Sequence, residues 1–129
     1  MNLEVIHACV KGSADGTLKF PEVVKKLMDI GVERYTADLV RLEDTFYSRK
    51  DESVNEKIPV TALPKVAQHF SAEGVQNAIR ASQQGKIDYK EFLRLVMNAG
   101  TASYVVYLDG RQAIYYGRKG ECHIEKFPN

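Results

Sequence analysis

Two stretches carry the same chemistry-bearing signature: Tyr47-x-Arg49-Lys50-x-Glu52 and, 69 positions on, Tyr116-x-Arg118-Lys119-x-Glu121. An arginine fork beside a lysine and a phenol suits a carboxylate or phosphate, which a guanidinium grips through two parallel hydrogen bonds. If the fold brings the copies together, one groove for an anion results. The competing expectation is the ordinary state of Arg-Lys in a hairpin turn, solvated and loosely paired with Glu52 and Glu121. Asp38, in the fairly apolar run YTADLV, has Tyr107 as its counterpart. Its carboxylate is either a hydrogen-bonded structural group or a lone functional acid. The candidate ligand-binding set is thus Tyr47, Arg49, Lys50, Tyr116, Arg118, Lys119 and Asp38.

Tyr35 and Tyr104 are expected at the edge of the core rather than as catalytic phenols. His7 and Cys9 fall in a helical pattern, Cys122 and His123 in a strand. Together they have the composition of a zinc set but not its spacing, and neighbours on a strand point to opposite faces. His69 is expected to be exposed. No phosphate loop, nucleophile elbow or Ser-His-Asp arrangement is present, so no catalytic residue, metal or cofactor is assigned.

The elements that hold these residues come from a repeat. Offset by 69, residues 2–59 align with 71–128 without a gap, including Gly16/Gly85, Glu22/Glu91, Met28/Met97, Gly31/Gly100, Tyr35/Tyr104 and Pro59/Pro128. Asn2 and Ser71 are helix caps, each followed by apolar residues at helical spacing: Leu3, Ile6 and Val10, then Ala72, Val75 and Ile79. Gly16 and Gly85 end these helices, Pro21 and Asp88 open the next pair, and Gly31 and Gly100 stop them. The period then turns strand-like in Ser103 to Leu108, Gln112 to Tyr116 and Glu121 to Phe127, with Asp109-Gly110 as a two-residue hairpin turn. The first copy follows through Val32–Leu39, Glu43–Tyr47 and Ser53–Ile58. Residues 60–70 form a connector in which Thr61 is expected to cap a short helix. The expected fold is α+β, an internally duplicated ααβββ unit with pseudo-two-fold symmetry in one domain, 1–129, its two antiparallel meanders preferably pairing edge to edge.

Glycine, an aliphatic residue two later and glutamate six later, between two helices, resembles the EF-hand calcium loop: Gly16, Leu18, Glu22 and Gly85, Ile87, Glu91. The first ligand position is Lys11 or Arg80, the third Ser13 or Ser82, the fifth Asp15 or Gln84. Calcium needs six or more hard oxygens, and a cation stands where its best ligand should be. The helical hairpins therefore resemble degenerate EF-hands without calcium, and the resemblance implies a small antiparallel bridge between Leu18 and Ile87.

Eighteen basic and seventeen acidic side chains leave a net charge of +1, with no basic run. Neither nucleic acid nor membrane is indicated as a partner. The absence of a long apolar stretch or secretory start points to a cytoplasmic protein, and the two cysteines are expected reduced. FPEVVKKLMDIGVERYTADLVRLEDTFYS, through Phe20-Pro21, Gly31-Val32, Tyr35, Asp38 and Tyr47, resembles a small bacterial family labelled "phage envelope protein" and found in prophages. That resemblance implies a bacterial or prophage origin and no defined activity. The leading expectation is a non-enzymatic binding module for a protein partner or a second copy of itself. The alternative is a binder of, or enzyme for, an anionic small molecule.

Overall fold

A computed structural model describes residues 1–128. The chain runs α1 (Leu3–Asp15), α2 (Phe20–Asp29), β1 (Val32–Asp38), β2 (Glu43–Ser48), β3 (Ser53–Lys57), α3 (Ala72–Gln83), α4 (Tyr89–Asn98), β4 (Thr101–Tyr107), β5 (Gln112–Gly117) and β6 (Cys122–Lys126). It is an α+β fold of four helices and one six-stranded antiparallel sheet, ordered β3-β2-β1-β4-β5-β6.

Local chemistry accounts for the element ends. Asn2 Oδ1 accepts the Val5 N–H at 3.2 Å, Ser71 Oγ that of Gly74 at 3.0 Å, and Asp88 Oδ1 that of Glu91 at 2.9 Å, each satisfying an amide the helix itself leaves unpaired. Glu22 returns to the Lys19 N–H at 3.0 Å, with Pro21 in the opening turn of α2. Gly31 and Gly100 both take φ +89, and the strands leave directly from them.

The meanders meet along β1 and β4, where Arg34 faces Tyr107, Tyr35 faces Val106, Thr36 faces Val105, Ala37 faces Tyr104 and Asp38 faces Ser103. Shifting one member of each pair up by 69 and the other down by 69 reproduces the same set of pairs. The strands of the two halves begin and end at the same offset and share burial patterns. Alternation sends Tyr35, Ala37, Asp44, Phe46, Tyr104, Val106, Ala113 and Tyr115 to the buried face, against the helices. Their apolar partners include Ile6, Leu27, Val75, Leu93 and Val96, so side chains of both halves share one core. Thr36, Thr45, Tyr47, Val105, Tyr107, Ile114 and Tyr116 fall on the opposite, open face.

Three expectations are corrected. The connector contains no helix: Pro59 and Pro64 bias the residues before them towards extended backbone, Val60 and Val66 are buried, and Ala67 N–H is taken by Met97 O at 3.0 Å. The β4–β5 turn is a four-residue loop after the pair Tyr107↔Gln112, and Arg111 (φ 54), not a residue of Asp109-Gly110, adopts the left-handed conformation. Leu42 (φ 56) does the same in the β1–β2 loop, which allows each loop to bury its leucine, Leu39 or Leu108. No bridge joins Leu18 to Ile87 among the described residues. Leu18 N–H instead bonds Gly12 O at 3.1 Å.

Candidate functional site

The repeated arginine signature does not form one groove. β1 and β4 run antiparallel, so the turn after β2 and the turn after β5 lie at opposite ends of the sheet, roughly 20 Å apart for strands of this length. Arg49 grips Asp109, Nε to Oδ2 at 2.8 Å and Nη2 to Oδ1 at 2.6 Å. Arg118 instead donates to the carbonyls of Val66 and Ala67, at 2.8 and 3.3 Å, tying down the connector. Lys50 and Lys119 are exposed, and Tyr47 and Tyr116 stand half-buried on the open face, Tyr47 beneath the Arg34 guanidinium. Asp38 Oδ1 accepts the N–H groups of Val40 and Arg41 at 3.0 and 2.9 Å, the structural alternative for that residue. His7 bonds Glu56 and His123 bonds Glu125, each at 3.1 Å, while Cys122 is exposed.

The chemistry lies between the layers. A cavity of about 850 Å³ lies between the helical hairpins and the sheet, and Leu18 and Ile87 both line it. Its floor is Tyr35, Asp44, Phe46, Tyr104, Val106, Ala113 and Tyr115, its walls include Cys9, Val10, Ile79, Tyr89 and Phe92, and its lysines, 19, 86 and 126, are exposed at the rim. The rings are ordered against one another. Tyr104 stacks on Tyr115 with centroids 5.0 Å apart, Phe92 meets both edge-on, and Tyr35 tilts against Phe46 at 5.1 Å.

Asp44 is the one ionisable carboxyl on the cavity floor. It is 6% exposed, and its Oδ1 has no hydrogen-bond partner among the described residues. Burial, and then the negative charge of Glu56 directly opposite on β3, push its carboxyl up to about 7. Burial likewise raises the phenols of Tyr35, Tyr89 and Tyr104 well above the ordinary range, and the charge on Asp44 adds to each. The Tyr89 and Tyr104 hydroxyls bond each other at 3.2 Å. Burial also pushes the Cys9 thiol up, leaving it a neutral wall group.

A family model described as "Protein of unknown function (DUF1398)" matches residues 4–126. The chain belongs to this family. It is also 24% identical over 108 residues to the uncharacterized proteins Rv2012 of Mycobacterium tuberculosis H37Rv and Mb2035 of Mycobacterium bovis. That alignment covers 84% of this chain and 66% of each relative, so the chain spans just under two thirds of their length. For this DUF1398 member the site rests on its own residues.

Sequence reasoning passed over Asp44 although two signals mark it. In EDTFYS it shares strand parity with Phe46, and therefore the inward face; its counterpart at the 69-residue offset is Ala113. Tyr35 and Tyr104, expected at the core edge, contribute two rings of the cavity floor.

Proposed function

We propose that this protein is a small-molecule binding module whose ligand occupies the cavity between the helical hairpins and the sheet. One observation carries the reading: among the described residues a buried carboxylate oxygen has no protein partner, and it lines a space of about 850 Å³ whose buried walls are otherwise mainly aromatic and aliphatic, with the remaining polar side chains, among them Gln83, Asp88 and Glu125, half-buried or exposed. Sites for small organic molecules combine such a volume with few polar groups, and a polar group left unpaired there costs free energy until a ligand pairs it. The paired state of Arg49 and Arg118 argues against the anionic groove. The test is uptake of the neutral fluorophore N-phenyl-1-naphthylamine. Saturable one-to-one enhancement is expected for the wild type and loss of it for Ala113→Phe, which fills the floor; absence of saturable uptake by a folded wild type sinks the reading.

Self-association is a second reading, supported by the open face. There Val105, Ile114 and Ile124 form an apolar row, whereas their counterparts are Thr36, Thr45 and Asn55; Ile124 is 52% exposed. Ile114→Thr should then lower the sedimenting mass of the wild type, and a monomeric wild type at millimolar concentration removes this reading.

We infer further that the halves descend from one duplicated ααβββ unit within a single domain. The common offset and the exchange-invariant β1–β4 register support this. Prophage origin, on the sequence resemblance, and a cytoplasmic location, on two cysteines expected to stay reduced, belong to the same reading. Among the described residues no helix is long and apolar enough to cross a membrane.

A further inference from the structure

We propose that the ligand is a compact organic ammonium, its cation seated on Asp44 and its apolar or aromatic body lying against Tyr35, Phe46, Tyr104 and Tyr115. This rests on the cavity reading and names its ligand class.

Four observations converge on a cation. Among the described residues the Asp44 carboxylate on the floor has no partner, whereas the half-buried Glu125 of the lining is held by Arg80 and His123, and the lining lysines lie at the exposed rim rather than buried with Asp44. Directly across the strand pair stands Glu56, a second negative charge that repels Asp44 yet would attract whatever cation sits beside it. The surrounding ring faces carry negative electrostatic potential and favour a desolvated cation over an anion. A hard metal ion is a poor fit, because it requires about six oxygen ligands. Among the described residues no group of three His, Cys, Asp or Glu side chains converges. An alcohol or amide satisfies Oδ1 but leaves the charge in place, whereas an ammonium neutralises it and hydrogen-bonds at once.

A proton linkage follows. The groups that face Asp44 are Tyr35 from β1, Glu56 from β3, with His7 upon it, Tyr89 from α4 and Tyr104 from β4, while Cys9 from α1 lies beside Tyr35. The thiol and the phenols are pushed up and stay neutral below pH 8. At pH 6 the carboxyl of Asp44 is mostly protonated, so an arriving ammonium displaces its proton; at pH 8.5 it is already ionised and none is displaced.

The experiment measures the affinities of phenethylammonium, 2-phenylethanol and 3-phenylpropionate by titration calorimetry on the wild type and on Asp44→Asn. The amine should bind at least tenfold tighter than the alcohol, the carboxylate weakest, and the preference should vanish in Asp44→Asn. Amine binding at pH 6 should release a proton, read as a heat that varies with buffer ionisation enthalpy, and the release should disappear at pH 8.5. The amine-to-alcohol comparison in the wild type stands alone should Asp44→Asn fail to fold. Equal affinity for amine and alcohol, preference for the carboxylate, or no binding of the amine in a protein that takes up N-phenyl-1-naphthylamine overturns the ammonium assignment and leaves the cavity reading. Failure of all three probes and of the fluorophore overturns both.

Discussion

Asp44 makes the native protein less stable than its scaffold permits. Its carboxyl, ordinarily near 3.8, is raised to about 7 by burial, so between those values the folded state holds a proton that the unfolded state has released. Stability must therefore fall as pH rises from about 4 to 7 and stay low above it, by roughly 4 kcal/mol at the most. Asp44→Asn removes this slope. Urea denaturation across pH 4–8.5 should show the variant more stable than the wild type by about 2 kcal/mol at pH 8 and no more stable at pH 4. A parallel pH dependence in the two proteins contradicts the assignment. Thr101 tests the same physics without a charge. It is fully buried, its Oγ1 has no partner among the described residues, and its counterpart in the first half is Val32. Thr101→Val should raise stability by about 1 kcal/mol, measured by urea titration. What the sequence showed at this scale were exposed, repeated charges; the residues the cavity uses were harder to see, because a lone aspartate becomes unusual only once its face of the strand is known.

At the scale of elements the period of apolar residues was sufficient. All four helices and all six strands lie within a few residues of where the spacing put them, since caps such as Asn2, Ser71 and Asp88 and breakers such as Gly31 and Gly100 act through local hydrogen bonds and φ alone. The connector and the β4–β5 loop eluded that logic because distant groups decide them: Met97 O and Arg118 hold the former, and burial of Leu108 shapes the latter. The same contrast predicts unequal costs at two glycines with identical φ. A Cβ on Gly31 meets nothing within 4 Å, whereas one on Gly100 would stand 2.3 Å from His69 O, on the connector. Gly31→Ala should cost about 1 kcal/mol for the left-handed backbone. Gly100→Ala should cost roughly 3 kcal/mol or more, because the connector must move as well. Thermal denaturation of the pair checks this, and equal losses would mean that the connector yields freely.

For the whole molecule, the decisive contact is between β1 and β4, which turns two three-stranded meanders into one sheet and sets both helical hairpins over the same floor. Edge pairing was legible as the arrangement that hides two strand edges; the cavity between the hairpins was not, because it depends on how far apart helices settle. The register is unchanged when the halves exchange roles, so a fragment of residues 60–128 carries an edge able to pair with its own copy about Val105. Sedimentation should find that fragment unfolded when dilute and dimeric when concentrated. The dimer would place Ala113 at both positions that correspond to Asp44, and its stability should lack the acid-to-neutral slope of the intact chain. A fragment that stays unfolded at every concentration would show that the halves need the differences between them.

Asp44 also supplies a spectroscopic handle. A carboxylic acid kept protonated at pH 6, when Asp and Glu side chains in water are ionised, absorbs in the infrared at a carbonyl stretching frequency that carboxylates do not share. Its band in the purified protein, assigned by its shift in heavy water and its absence in Asp44→Asn, would report directly whether the cavity is occupied by something that takes that proton away.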